Sequence, residues 1–177
     1  DKIKSSAEKV DNFLKKYFLK KNTQNSLFEA MNYGLFSGGK KIRSYITKCA
    51  FEIYKIDEYK YIPIAGAIEC VHSYSLIHDD LPSMDNDDFR RGKESTHKKF
   101  GEANAILAGN SLLTSAFEII SSDNLRIDHE RKSNLTNSLA LCAGHEGIAG
   151  GQYLDLKYEN EQKDEKEIIN MQKKKTG

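Results

Sequence analysis

The sequence predicts an all-α fold in a single domain, residues 1–177. Apolar residues recur at spacings of three and four, alternating β-branched runs are scarce, and only Pro63 and Pro82 interrupt the helical patterns. A chain of 177 residues has the length of one ordinary domain and can bury a core. Its content of 38% hydrophobic and 30% charged residues fits a helical protein with a well-solvated surface.

Charge and cysteine content exclude several classes of protein. With 27 basic and 26 acidic residues, the net charge of +1 gives no broad footprint for nucleic acid or an anionic membrane, so anions must bind at local clusters. No apolar run of 18 residues predicts a membrane span. The scattered Cys49, Cys70 and Cys142 argue against a disulfide framework or a zinc site, and we expect them to be small buried residues. We expect a cytoplasmic protein whose start, without Met or signal peptide, is trimmed.

The first half of the chain predicts three helices in order. The first is indicated by apolar residues at helical spacing, namely Val10, Phe13, Leu14, Tyr17 and Phe18. After a polar break at residues 21–24, a second pattern runs through Leu27, Met31 and Leu35. Gly38 and Gly39 then predict a flexible stop, and a helix from about Lys40 to Tyr54 follows.

The second half predicts further helices around a charged loop. Pro63 suits a first helical turn, so a buried helix is expected over residues 64–78, and Pro82 ends it. Residues 83–99 read as a loop, and residues 103–121 as a helix rich in small residues. Another helix is predicted over residues 134–157. It contains Gly144, Gly147, Gly150 and Gly151. Glycine destabilises a helix interior, so we expect close packing or a nearby ligand to account for them.

Five acids crowd ten positions directly after the buried helix: Asp79, Asp80, Asp85, Asp87 and Asp88. Carboxylates this close repel unless a cation neutralises them, and an oxygen-only set favours Mg²⁺ over zinc. Asp79 and Asp85 are six apart and cannot share a helical face, but Pro82 forces the chain out of the helix and can return Asp85 over its end. The alternative is a solvated acidic loop.

Basic residues flank this acidic cluster. Arg90 and Arg91 follow it at once. An acidic loop followed by basic residues suits a metal–diphosphate site, in which carboxylates hold the cations, the cations bind some phosphate oxygens and the arginines bind the others. Salt bridges to the neighbouring Asp side chains are an alternative. Upstream, Lys40 and Arg43 are three apart and are expected to share one face of a helix N-terminus. His72 lies seven residues before Asp79 and projects from nearly the same face, although a lone His is usually a core residue.

These motifs together resemble the trans-isoprenyl diphosphate synthase family, specifically its bacterial farnesyl diphosphate synthase (geranyltranstransferase) type. The matching segments are GGKKIR at 38–43, ECVHSYSLIHDDLPSMDNDDFRRGKESTHKKFGEANAILAGNSLL at 69–113, GIAGGQYLDL at 147–156 and KTG at 175–177. The resemblance implies an isoprenoid synthase helical bundle. It also implies head-to-tail condensation of isopentenyl diphosphate with dimethylallyl or geranyl diphosphate, through Mg²⁺-assisted ionisation to an allylic carbocation.

The resemblance also implies residue roles. Asp79, Asp80 and Asp85 would ligate Mg²⁺ (Mn²⁺ is an alternative), and Asp155 would support these ligands. The allylic diphosphate would be bound by Arg90, Lys175 and Thr176, with Gln152, Thr176 and the Lys175 carbonyl facing the cation. Isopentenyl diphosphate would be bound by Gly39, Lys40, Arg43, His72 and Arg91. Product length would depend on Tyr74 and Ser75, and the bulky Tyr74, five positions before Asp79, predicts farnesyl diphosphate.

The family's second aspartate-rich motif is not found before Gly177. We therefore expect a C-terminally truncated chain that is itself inactive and whose exposed apolar faces are covered in a homodimer. Geranylgeranyl diphosphate synthesis is an alternative. A non-catalytic subunit that binds prenyl diphosphates is another. A terpene cyclase shares the acidic motif but has no need for Lys40, Arg43, His72 and Arg91.

Overall fold

The computed structural model describes residues 1–21, 25–159 and 161–177, and this part of the chain is mostly helical. The predicted all-α class is confirmed. In chain order the helices are α1 (Lys2–Leu19), α2 (Ser26–Leu35), α3 (Ile42–Ile53), α4 (Glu58–Asp79), α5 (Thr96–Phe100), α6 (Glu102–Ser121), α7 (His129–Ala143), α8 (Ile148–Tyr158) and α9 (Glu165–Lys175). Two short strands, β1 (Phe89–Arg90) and β2 (Lys93–Glu94), lie between α4 and α5.

Helices α1 and α2 form where the apolar spacing predicts them. Val10, Leu14 and Phe18 are fully or nearly fully buried on one face of α1, and Met31 and Leu35 are buried on α2. The side chain of Asp1 accepts a hydrogen bond from Ile3 N at the start of α1. Asn25 caps α2 in the same way. Residues 22–24 of the predicted polar break lie outside the described residues.

Two predicted helix starts are wrong. Helix α3 begins at Ile42 because Lys41 adopts a left-handed conformation, with φ 45° and ψ 50°, that a helix cannot contain. Lys40 therefore precedes the helix and cannot share a helical face with Arg43. Helix α4 begins at Glu58 and contains Pro63 in its interior. A proline removes one backbone hydrogen bond there, and packing of α4 against α1, α3 and α6 outweighs that loss.

The predicted loop over residues 83–99 contains regular structure. Strands β1 and β2 pair in an antiparallel hairpin, with Phe89 opposite Glu94. The two turn residues, Arg91 and Gly92, have φ of 54° and 76°, the left-handed values that a tight hairpin turn requires. The Tyr33 hydroxyl donates to the Glu94 carbonyl at 2.8 Å and ties the hairpin to α2.

The helix predicted over residues 134–157 is two helices, α7 and α8, separated at residues 144–147. A Cβ on Gly147 would lie 1.8 Å from the Cys142 carbonyl oxygen, so the chain direction at this break requires glycine. Within α8, a Cβ on Gly151 would lie 2.3 Å from the backbone nitrogen of Lys175 on α9. Close helix packing, one of the two reasons expected for these glycines, therefore explains Gly151.

The chain forms two compact units, Asp1–His129 and Glu130–Gly177. In the first unit α4 packs against α6 and α3, with α1 and α2 completing the core. In the second unit α8 packs against α9. Among the described residues, α6 is the one helix long and apolar enough to cross a membrane. Core helices meet the same criterion, and α6 buries Ala105, Ala108, Leu112 and Ala116.

The three cysteines are free thiols in different environments. Cys70 is fully buried on α4, as expected, and Cys49 is half-buried. Cys142 is exposed, so the expectation of a buried position is wrong for it. Cys142 lies on α7, which buries only Lys132 and Ala143 among its residues.

Close contact between α4 and α6 depends on Gly109. A Cβ there would lie 2.2 Å from Nε2 of His78, and His78 is held by a 3.1 Å hydrogen bond to the Ile106 carbonyl. For Gly109→Ala we expect a net loss of about 1 kcal/mol in unfolding free energy, because overpacking costs more than improved helix propensity contributes.

Urea denaturation of the 177-residue chain measures this change. The matched control is Asn110→Ala, since Asn110 is exposed on the same helix and should shift stability by less than about 0.5 kcal/mol. An unchanged or raised midpoint for Gly109→Ala would show that α4 and α6 do not pack as closely as described.

Candidate functional site

A cavity of about 300 Å³ opens in the first unit. It lies between α3, α4, the turn at Gly38 and Gly39, and Arg91 of the hairpin turn. All five residues assigned above to isopentenyl diphosphate line it: Gly39, Lys40, Arg43, His72 and Arg91. These residues come from three separate segments of the sequence, so the fold brings them together. These five residues contribute three permanent cations and one imidazole to the wall, which suits an anionic ligand.

Arg91, which lines the cavity, is held by the turn at Gly38 and Gly39. Its Nη1 donates to the Gly38 carbonyl, and a Cβ on Gly39 would lie 2.4 Å from the same nitrogen. Gly38 and Gly39 have φ of 93° and 105°, values that favour glycine. The glycines thus allow the Arg91 guanidinium to lie flat on the backbone of the 38–39 turn.

His72 is uncharged at neutral pH in this setting. The pKa of His72 is lowered to about 4. Burial is the largest cause, and the nearby positive charges add to it, namely those of Arg43, Arg91, Lys41 and Arg90. A second proton on the ring would be repelled by the surrounding cations. The imidazole can therefore donate one hydrogen bond to an anion, and an anion bound here would raise its pKa.

The acidic residues lie at the C-terminal end of α4. Asp79 is the last residue of the helix, and the backbone nitrogen of Asp85 donates to the Asp79 carbonyl at 2.9 Å. The chain therefore leaves the helix near Pro82 and returns over its end, as the sequence predicts. Asp79 is half-buried, and Asp85, Asp87 and Asp88 are exposed.

Asp80 and Arg90 form a close ion pair. Arg90 Nε donates to both carboxylate oxygens of Asp80 at 2.8 and 2.9 Å, and Nη2 donates to one of them at 2.6 Å. The side chain of Asp80 is only 3% exposed, and its carboxylate raises the pKa of Arg90. A salt bridge to a neighbouring Asp, the alternative named for Arg90 in the sequence, is therefore formed. It uses two of the three guanidinium nitrogens.

The donor chemistry at this helix end fits Mg²⁺. The side chains of Asp79 and Asp85 offer only oxygen atoms as metal ligands. The returning loop brings the two residues together, since their backbones are joined by a hydrogen bond. Across residues 1–21, 25–159 and 161–177, no group of three or more His, Cys, Asp or Glu side chains is placed to hold a metal. Mg²⁺ commonly takes one or two carboxylates and completes its shell with substrate phosphates and water. Two carboxylates and a diphosphate fit that pattern.

The residues assigned to product length lie on α4 between the cavity and the acids. Tyr74 is half-buried, and its ring contacts the His78 ring edge-to-face at a centroid distance of 5.3 Å. His78 is fixed to α6 through Ile106, so Tyr74 rests on a held ring. The Ser75 hydroxyl donates to the His72 carbonyl and is committed to the helix backbone.

The remaining predicted residues lie in the second unit. Lys175 Nζ donates to Asp155 Oδ2 at 2.5 Å and links α9 to α8. Gln152 is buried on α8, and Thr176 follows the last residue of α9. Lys175 and Asp155, assigned to different ligands by the resemblance, are thus direct partners. Their roles, like those of the other predicted site residues, stay predictions.

Sequence reasoning missed two charged residues that line the cavity, Lys41 and Glu69. Glu69 is 2% exposed and accepts hydrogen bonds from the Ser44 backbone nitrogen and hydroxyl at 3.2 and 2.8 Å. A single acid within the apolar stretch of α4 was an available signal. Lys41 carried no such signal, because its conformation is set by residues distant in the sequence.

We expect the stability of the chain to fall as pH decreases from about 6.5 towards 4, in part through His72. The unfolded imidazole binds a proton near its ordinary pKa of about 6.5 and the folded one does not, so the unfolded state gains protons first. Chemical denaturation across this pH range, with His72→Gln as the variant, measures the contribution.

The variant should show a shallower fall in stability over that interval. The matched control, His129→Gln, replaces an exposed histidine at the start of α7 and should keep the wild-type slope. An imidazole resonance of His72 that titrates near pH 6.5 by NMR would contradict the burial and charge described for the cavity.

Known proteins resemble this chain over most of its length. The polyprenyl synthetase family model matches residues 24–177. The farnesyl diphosphate synthase of Bacillus subtilis (strain 168) is 43% identical over 169 residues, which cover 95% of this chain and 57% of that protein. The chain therefore spans less than two thirds of the length of that curated relative.

Solved structures show the same fold. A farnesyl/geranylfarnesyl diphosphate (FPP/GFPP) synthase from Zymomonas mobilis superposes with a TM-score of 0.90 at 36% identity, over 98% of this chain and 65% of that one. A geranylgeranyl pyrophosphate synthetase from the archaeon Geoglobus acetivorans also gives 0.90, at 37% identity, over 100% and 56%. With a family model that matches most of its length, this chain belongs to the polyprenyl synthetase family.

Proposed function

We propose that the protein carrying this chain is a head-to-tail prenyltransferase that condenses isopentenyl diphosphate with dimethylallyl or geranyl diphosphate, mainly to farnesyl diphosphate. The observation that carries the proposal is the convergence of Gly39, Lys40, Arg43, His72 and Arg91 on one cavity. A terpene cyclase takes one diphosphate and gives no reason for this second anion pocket. Geranylgeranyl diphosphate synthesis is the alternative in product length.

The spacing along α4 supports two separate substrate sites. His72 lines the cationic cavity and Asp79 ends the same helix, seven residues later. At 1.5 Å per residue, the two positions are about 10 Å apart along the axis. One diphosphate would be bound by cationic side chains directly, and the other through a metal, so the two substrates would not compete for the same groups.

Asp79 and Asp85 would hold Mg²⁺, or Mn²⁺ in its place, on the allylic diphosphate. When bound, this ion would neutralise the departing diphosphate and so ease cleavage of the carbon–oxygen bond. Arg90 would bind the same diphosphate, since its Nη1 can still donate while Nε and Nη2 contact Asp80. The resemblance also assigns Lys175, Thr176 and Gln152 of the second unit to the allylic substrate, and these roles stay predictions.

The cavity residues would hold the second substrate still while its double bond attacks the allylic carbon. Lys40, Arg43 and Arg91 supply charge, and the neutral His72 supplies one oriented hydrogen bond. The proton lost after condensation would go to the released diphosphate. No protein nucleophile takes part in this scheme.

We also propose a homodimer in the cytoplasm. The exposed apolar side chains of α3 support a covered face, since Ile42, Ile46 and Ile53 are 51%, 61% and 76% exposed. Free thiols at all three cysteines fit a reducing compartment. A non-catalytic diphosphate-binding subunit is the remaining alternative.

The direct test uses the product of the complete gene with isopentenyl and geranyl diphosphates and Mg²⁺. We expect a C15 prenyl diphosphate by chromatography, and no product after EDTA treatment. Re-addition of Mg²⁺ after EDTA is the control and should restore product. Diphosphate binding without any chain elongation would support the binding-subunit alternative and overturn the proposed activity.

Product length tests the role of Tyr74. In the same complete protein, Tyr74→Ala should shift the main product from C15 towards C20 or longer, because the bulky ring on α4 would no longer block the growing chain. The matched control is Tyr74→Phe, which keeps the ring and should keep C15. Unchanged C15 output from Tyr74→Ala would remove this residue from chain-length control.

A further inference from the structure

Lys41 has an unusual backbone and no role in the proposed chemistry. It lies between Lys40 and Arg43 at the start of α3, with φ 45° and ψ 50°. A residue with a Cβ adopts this left-handed conformation only when surrounding contacts hold it there. The two glycines before it could have supplied such a turn without strain, so the strain at a lysine requires a compensating interaction.

The compensation comes from the Lys41 ammonium. The side chain is only 7% exposed, and its Nζ lies 3.2 Å from Asp11 Oδ1 on α1. The same Nζ donates to the Leu35 carbonyl at 3.3 Å, at the last residue of α2. One buried cation therefore joins α1, the end of α2 and the start of α3.

This interaction decides where the flanking cations lie. Because the chain turns left-handed at Lys41, Lys40 before the turn and Arg43 after it both line the cavity. The Lys41 ammonium already has two oxygen partners and is directed at α1. It is therefore not needed as a ligand of the bound anion, although its charge contributes to the lowered pKa of His72.

We propose that Lys41, through its ion pair with Asp11, is a positioning residue that presents Lys40 and Arg43 to the diphosphate in this cavity. The inference rests on the proposed function, since the ligand is the diphosphate assigned there. Glu69 provides a second support, because its buried carboxylate holds Ser44 in the first turn of α3. Breaking the Asp11–Lys41 pair should release the turn while leaving that second support in place.

The direction of the change in anion affinity on one substitution distinguishes a positioning role from a purely electrostatic one. Asp11→Asn removes a negative charge near a cationic pocket, so Coulomb interaction alone would tighten anion binding by about two- to threefold. Loss of positioning would instead weaken it, by about five- to twentyfold. Isothermal titration of inorganic diphosphate into the 177-residue chain measures the difference.

Matched variants complete the design. Asp57→Asn removes a charge of the same type from an exposed pair with Lys60 and should leave affinity within about twofold. Lys41→Met should weaken binding more than Asp11→Asn does, because it also removes a cation. The double variant should lie between the two single variants, since the positioning contact can be lost only once. Lys41→Arg keeps the cation and should restore most of the affinity.

Each outcome has a defined meaning. Unchanged or tighter binding by Asp11→Asn, with wild-type binding intact, overturns the positioning role and leaves the proposed function standing. Should Asp11→Asn fail to fold by circular dichroism, Asp11→Ser carries the same test, because removal of this carboxylate tightens anion binding through charge alone and weakens it through loss of positioning. If the wild-type chain binds no diphosphate, or if Arg43→Gln binds as well as wild type, the cavity assignment itself fails and this inference fails with it.

Discussion

Packing of α4 against α3 and α6 is the constraint on which the site in the first unit depends. Helix α4 carries His72, Tyr74 and Asp79, so its rigidity fixes the distances between the cavity, the ring and the acids. Neighbouring helices hold it closely, with His78 bound to the Ile106 carbonyl and Glu69 bound to Ser44. A substitution that shifted α4 along its axis would displace His72, Tyr74 and Asp79 together.

Charge is separated along this helix for a physical reason. The cations around His72 repel one another, and the folded protein tolerates them because His72 stays neutral and Glu69 lies in the same wall. At the helix end, the carboxylates add to the negative end of the helix dipole, which raises the attraction for a divalent ion. Each cluster is unfavourable without its ligand, and the unfavourable charge is a source of binding energy when the ligand arrives.

The sequence predicted those parts of the site that follow from local rules. Proline at 82 implied the return of Asp85, and the backbone bond to Asp79 bears this out. Local rules failed at Lys41, since its left-handed backbone depends on Asp11, thirty residues away, and no pattern in GGKKIR reveals that pair. They failed again at Gly147, because helix propensity does not reveal the break between α7 and α8 that this glycine allows.

The same contrast explains why Arg90 and Arg91, adjacent in sequence, have different partners. The hairpin turn gives Arg91 a left-handed backbone and leaves Arg90 in the strand before it, so their side chains diverge. Arg90 contacts Asp80 at the acidic helix end, and Arg91 contacts Gly38 at the cationic cavity. A two-residue turn thus assigns one arginine to each proposed diphosphate. Because a turn of this type needs left-handed φ at both central residues, the glycine at 92 is as necessary to that division as the arginines themselves.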